Sequence, residues 1–167
     1  MRDAAKDLID ILGEDGEKTD VSFGLVPFSN QVYLDLPGEH VVGETAGNTW
    51  TGCTQDRRWP YNTNASTPDI SIDASRWGET PSSSNWDCNN HIGRNLKVRP
   101  LSTDHQQMKD YLDLMQPKGN THISLGLEFG WQLVSPNAPF TEGVAYDTNG
   151  TKEFIVLLTD GAQTPKG

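Results

Sequence analysis

The sequence predicts an α/β fold, a doubly wound and mainly parallel sheet with helices on both faces, interrupted by an irregular insertion. Three observations carry this expectation. Amphipathic helical patterns open the chain and return after residue 100, and apolar strand-like runs alternate with them. The last of those runs stops in an aspartate, the place where open α/β sheets put their ligand sites.

Residues 1–12 place Ala5, Leu8, Ile9 and Leu12 on one helical face, with Arg2, Asp3, Lys6, Asp7 and Asp10 elsewhere, and Gly13 ends the pattern. Val21 to Val26 reads as a buried strand whose continuation Pro27 forbids. Gln31 to Leu36 alternates like an edge strand. From 37 to 99 the chain turns to Gly, Pro, Ser, Thr and Asn with no helical or long strand period, although Trp50, Trp59, Trp77 and Trp86 lie in it. So long an irregular stretch reads as an inserted unit whose tryptophans form a miniature core.

Thr103 and Gln106 have capping-box spacing before Met108, Tyr111, Leu112 and Met115, which predicts a second helix ended by Pro117-Lys118-Gly119. Asn120 is placed to cap a third, with Ile123, Leu127, Trp131 and Val134 on one side. Gly126 and Gly130 lie on another, where backbone can approach closely. Asn149-Gly150 marks a turn, and Phe154 to Leu158 is a continuous apolar run of the kind buried on both faces of a parallel sheet. The organisation is then a core in two parts, 1–36 and 100–167, around the insertion 37–99.

Composition narrows the function. The 167 residues carry a net charge of -10, which repels phosphate backbones and excludes a nucleic-acid partner. No run has the apolar length of a membrane span, and the opening residues lack a signal-peptide layout. The two cysteines, Cys53 and Cys88, lie 35 positions apart in the most polar stretch. A disulfide is the natural reading and implies an oxidising compartment. Two free thiols are the plain alternative, while a zinc site through Cys88 and His91 has half its ligands.

Thr159-Asp160-Gly161 sets a carboxylate just past an apolar run, and Gly119-Asn120-Thr121 sets a hydroxyl at a helix start. Oxygen ligands from two loops suit Mg²⁺ or Mn²⁺, with waters and an incoming carboxylate completing an octahedron. Asp-Gly as a plain turn and Thr121 as a cap are the simpler readings. His40, His91, His105 and His122 show no sequence-visible pairing with a nucleophile, so no catalytic triad is expected. A phosphotransfer or hydrolase site using Asp160 is the enzymatic alternative, without the acid, base and phosphate loop it would need.

A set of local patterns adds a resemblance. Val26-Pro27-Phe28, Trp50-Thr51-Gly52-Cys53 with Asp56-Arg57, Pro100-Leu101, Gly119-Asn120-Thr121, Gly126-Leu127, Gly130-Trp131, Leu133, Ser135-Pro136 through Phe140, and Thr159-Asp160-Gly161 span nearly the whole chain. Together they resemble the von Willebrand factor A-type (vWA) domain of Tad-type (Flp) pilus-assembly proteins. The resemblance implies a partial, Rossmann-like vWA fold and a non-enzymatic protein-binding or adhesion role. It further implies a metal-ion-dependent adhesion site in which Thr121 and Asp160 match two of the ligands, with Asn120 and Gly161 shaping their loops.

The remaining Asp-x-Ser-x-Ser motif belongs, by resemblance, just before the opening helix, outside this sequence. The expected first strand would then lie between the Val21 and Phe154 strands, and further strands would follow Gly167. Without them, exposed strand edges, marginal stability and aggregation are expected. The implied setting is extracytoplasmic, in a bacterial envelope protein anchored by a membrane segment elsewhere, with a carboxylate-bearing protein or pilus-assembly components as partners. A metal-free scaffold is the alternative role.

Overall fold

The computed structural model describes residues 1–14, 20–42, 52–79, 91 and 93–164. Among these the architecture is mixed α/β, with three helices and two small sheets, one of them mixed.

Helix α1 spans Arg2–Gly13 and buries Ile9, as its apolar spacing requires, although Leu12 is left exposed at its end. It closes on Glu14 in a left-handed conformation (φ 46°). Its partner is α2, His105–Leu114. Ile9 meets Met108 and Leu112 there, with Phe23 and Leu25 against them, to form the smaller of two apolar clusters. Ion pairs Lys6–Asp113 (2.9 Å) and Lys109–Asp10 (2.6 Å) flank the contact. The N-cap of α2 is Asp104, whose Oδ1 accepts from the backbone N–H of Gln107 at 2.9 Å, rather than the expected Thr103. A carboxylate one residue nearer the helix start satisfies the free N–H and the helix dipole together.

Strand β1, Phe23–Leu25, is shorter than the sequence pattern. It pairs antiparallel with β6, Arg99–Ser102, a strand that its proline concealed. The second sheet has the order β2 (Val32–Tyr33), β4 (Cys53–Gln55), β5 (Trp77–Glu79), β3 (Val41–Val42). Only β3 and β5 run parallel. The expected mainly parallel sheet is therefore not what the described residues form: short strands joined through the insertion pair antiparallel, as close chain returns favour.

Segment 37–99 thus supplies three short strands to a sheet that begins in the first part of the chain. It also supplies Val41, Trp77 and Val98 to the main apolar cluster, alongside Val32, Leu34, Leu125, Phe129 and Leu133. Trp77 is fully buried and stacks on Phe129 (centroids 5.3 Å), whereas Trp59 is 78% exposed. Trp50 and Trp86 lie outside the described residues, as does Cys88. Cys53 is fully buried in β4.

Helix α3 spans Ile123–Val134. Leu125, Phe129 and Leu133 enter the core, while Leu127 and Trp131 are 40% and 43% exposed. Its N-cap is His122, with no side-chain cap, in place of Asn120. The two glycines do mark close approaches: a Cβ on Gly126 would lie 2.7 Å from the Phe28 ring, and one on Gly130 would lie 3.3 Å from Ile155.

Phe154 to Leu158 differs most from expectation. It forms no strand and is exposed throughout, from 40% at Leu157 to 74% at Phe154. An apolar run becomes a buried strand only with neighbours on its edges and faces. Among the described residues no strand lies beside it, and Ile155 packs over Gly130 of α3.

Candidate metal loops and a buried ion pair

The two loops singled out by sequence meet. Thr164 donates its backbone N–H and its hydroxyl to the Thr121 carbonyl, both at 2.9 Å, and Thr121 N–H donates to Thr164 Oγ1 at 3.1 Å. Gln163 Oε1 accepts from the Ile123 N–H at 2.7 Å, capping α3 from outside the helix. Gly161 sits so close to the Thr121 hydroxyl that a Cβ there would overlap it. Asp160, between Thr159 and Gly161, is exposed. The Gly161 N–H turns back onto Thr159 Oγ1 at 3.1 Å, which holds the loop after the apolar run.

A third stretch joins them from the other side. Asn30 Oδ1 accepts from the Asn120 N–H (3.1 Å) and the Ser29 carbonyl accepts from the His122 N–H (3.1 Å). Gly119 adopts φ 100°, a turn that only glycine makes freely, and packs on Ser29. His122 Nε2 faces Asp56 Oδ2 at 3.3 Å. The neighbourhood therefore offers oxygen donors of the hard type, a hydroxyl and a carboxylate on laced loops. Oxygen donors of this kind are the ones that Mg²⁺ and Mn²⁺ take. Among the described residues no three His, Cys, Asp or Glu side chains converge on one point.

Ser29 Oγ and His91 Nε2 lie 2.7 Å apart, a hydroxyl–imidazole pair that sequence spacing did not reveal. Both residues are almost fully buried, at 2% and 1% exposure. Burial pushes the His91 imidazole down to about 4, so it is neutral at physiological pH and acts as a strut between the Asn30 loop and the insertion.

A buried ion pair was also not revealed by sequence spacing. Arg57 Nε donates to Glu128 Oε1 at 2.8 Å with both side chains buried, and Trp77 Nε1 donates to the same oxygen at 3.0 Å. Arg57 also donates to the carbonyls of Ser66 (2.8 Å) and Asn64, and lies over the Trp77 ring, 4.8 Å from its centroid. Burial raises the Glu128 carboxyl, and the Arg57 and Trp77 donors oppose that shift. The signal was present: Glu128 stands alone as a charge in the apolar stretch Leu125 to Leu133, which demands a buried cationic partner.

Comparison with protein-family models, with curated proteins and with solved structures finds no match to this chain. No helix among the described residues is long and apolar enough to cross a membrane.

Proposed function

We propose that this chain is part of a vWA-like protein-binding module, of the kind found in Tad-type pilus-assembly proteins, that recognises a carboxylate on its partner through a divalent cation. The observation that carries this reading is the lacing of the Thr121 loop to the 159–164 segment. It sets a hydroxyl and a loop carrying an exposed carboxylate side by side, as an adhesion site requires. In this reading the Thr121 hydroxyl and the Asp160 carboxylate hold Mg²⁺ or Mn²⁺, while Asn120 and Gly161 keep their loops in place. The cation would supply an electrophilic position for the partner's carboxylate, and waters and residues outside this sequence would fill the rest of its shell.

The fold supports the same reading in a second way. The apolar run 154–158 lies open, as expected if a strand from adjoining sequence covers it. A Cys53–Cys88 bond would staple the insertion beside the loops, in an envelope protein facing an oxidising compartment. A metal-free scaffold is the second reading. It is favoured by the buried Arg57–Glu128–Trp77 contact, which fixes the insertion to α3 without any cation.

Calorimetric titration of Mg²⁺ and Mn²⁺ into this chain, and into a form extended at both ends, separates the two. Binding by the extended form that disappears in Asp160→Ala supports the adhesion site. No binding by a folded extended form leaves the scaffold.

A further inference from the structure

Among the described residues an asparagine or aspartate directly precedes a glycine at two places, Asn149-Gly150 and Asp160-Gly161, and the structure treats them differently. Asn149 and Gly150 are the central residues of a turn closed by the Thr151 N–H, which donates to the Thr148 carbonyl at 3.2 Å. Gly150 takes φ 85°, the conformation that a type II turn demands at this place and that glycine reaches without strain. The turn's own hydrogen bond skips the peptide unit between the two residues. The Gly150 N–H and the Asn149 side-chain amide make no hydrogen bond among the described residues, and both residues are exposed. A Cβ on Gly150 would meet nothing within 4 Å.

At Asp160-Gly161 the corresponding nitrogen is held. The Gly161 N–H donates to Thr159 Oγ1 at 3.1 Å, and a Cβ on Gly161 would overlap the Thr121 hydroxyl. To swing towards the side-chain carbon of residue 160, that nitrogen has to break its bond and move against a packed loop. The Gly150 nitrogen has neither restraint. No other asparagine in the chain precedes a glycine.

We infer that Asn149 is a site of self-modification, in which its side chain cyclises onto the Gly150 nitrogen and reopens as aspartate and isoaspartate. The Gly150 amide nitrogen, having lost its proton to base, attacks Asn149 Cγ. The N–Cγ bond forms, the Cγ–Nδ2 bond breaks, and the side-chain NH₂ leaves with that proton as ammonia. Water then opens the cyclic imide. Cleavage of the N–Cγ bond gives aspartate, whereas cleavage between the nitrogen and the main-chain carbonyl carbon of residue 149 gives isoaspartate. No oxidation or reduction occurs, and water is the only co-reactant. Each event adds a carboxylate beside Asp147 to a chain already at -10. The isoaspartyl product also adds a methylene to the main chain in the turn that precedes the apolar run 154–158. The reaction needs neither the cation nor the partner of the proposed function.

The test is peptide mapping by mass spectrometry after incubation at constant temperature and pH, on the wild type and on Asp160→Asn. That variant places a second Asn-Gly pair in the same molecule, and cleavage after Lys152 puts the two on different fragments. In the folded variant, position 160 should convert about tenfold or more slowly than Asn149, and in guanidinium chloride the two rates should converge, because only the folded loop restrains the Gly161 nitrogen. The wild type, which does not depend on the variant folding, should convert at Asn149 as fast folded as denatured, and faster as pH rises. Protection of Asn149 in the folded wild type, or equal conversion of the two pairs in a variant that circular dichroism shows to be folded, overturns the inference. Aspartate without isoaspartate would mean direct hydrolysis of the side chain and overturns the cyclic route.

Discussion

Glu128 and His91 are the residues at which burial and chemistry conflict most directly. Removing one member of a buried ion pair leaves the other charge without compensation, so Glu128→Ala is expected to cost about 3–5 kcal/mol. The double variant Arg57→Met with Glu128→Leu should recover only part of that. Trp77 Nε1 would remain buried without a partner and the part-buried Ser66 carbonyl would lose its donor, whereas the Asn64 carbonyl keeps its bond from Gln132. Urea unfolding measures both, and a loss under about 1 kcal/mol for Glu128→Ala would show that the pair is not buried as described. His91 sets a pH dependence. Its folded pKa, about 4, lies below the unfolded value of 6.5, so the unfolded chain takes up the extra proton. Stability from this group is complete above pH 6.5 and lost as pH falls towards 4, by roughly 3 kcal/mol in all. The stability difference between the wild type and His91→Gln should shrink across that window. Glu128, whose carboxyl is raised, works in the opposite direction but is common to both proteins and cancels.

At the level of elements, α3 is the hinge of the architecture, because each of its faces meets a different neighbour. Gly126 abuts the Phe28 ring and Gly130 the exposed Ile155, so the same substitution should act oppositely at the two sites. Gly126→Ala must displace an aromatic ring in the core and should destabilise by about 1–3 kcal/mol. Gly130→Ala meets the Cγ2 of Ile155, an exposed side chain, at 3.3 Å and gains helix propensity, so it should be neutral or stabilising by up to about 1 kcal/mol. Thermal unfolding of the two variants decides it, and equal losses would contradict the packing. Periodicity made α1, α2 and α3 legible, and it flagged both glycines as places of close approach. It could not say which face of α3 is buried, because Leu125, Phe129 and Leu133 repeat at the same spacing as Leu127 and Trp131. The strands of two to four residues escaped for a related reason: pairing depends on distant partners that local pattern does not contain. Of the candidate site, Thr121 and Gly161 were legible from turn chemistry and do meet. Asp56–His122 and Ser29–His91 join residues 62 or more apart, beyond any spacing rule.

For the whole molecule, the decisive feature is apolar surface left uncovered. Phe154, Ile155, Val156, Leu157 and Leu158 are each at least 40% exposed, and Leu127 and Trp131 of α3 are exposed as well. A continuous apolar segment with free backbone groups is a template for pairing with another chain. The net charge of -10 opposes association at long range, but salt screens it over about 8–10 Å at ordinary ionic strength, and the segment carries no charge of its own. The isolated chain is therefore expected to self-associate as concentration and salt rise. Val156→Lys, which places a like charge on every copy's exposed run, should shift the onset to higher concentration without lowering the melting temperature, since the side chain is 55% exposed already. Light scattering across a salt and concentration series reads this directly. If the variant associates as readily as the wild type, the run is not the contact surface. If a form extended at both ends stays monomeric where this chain does not, covering by a strand from adjoining sequence becomes the preferred explanation.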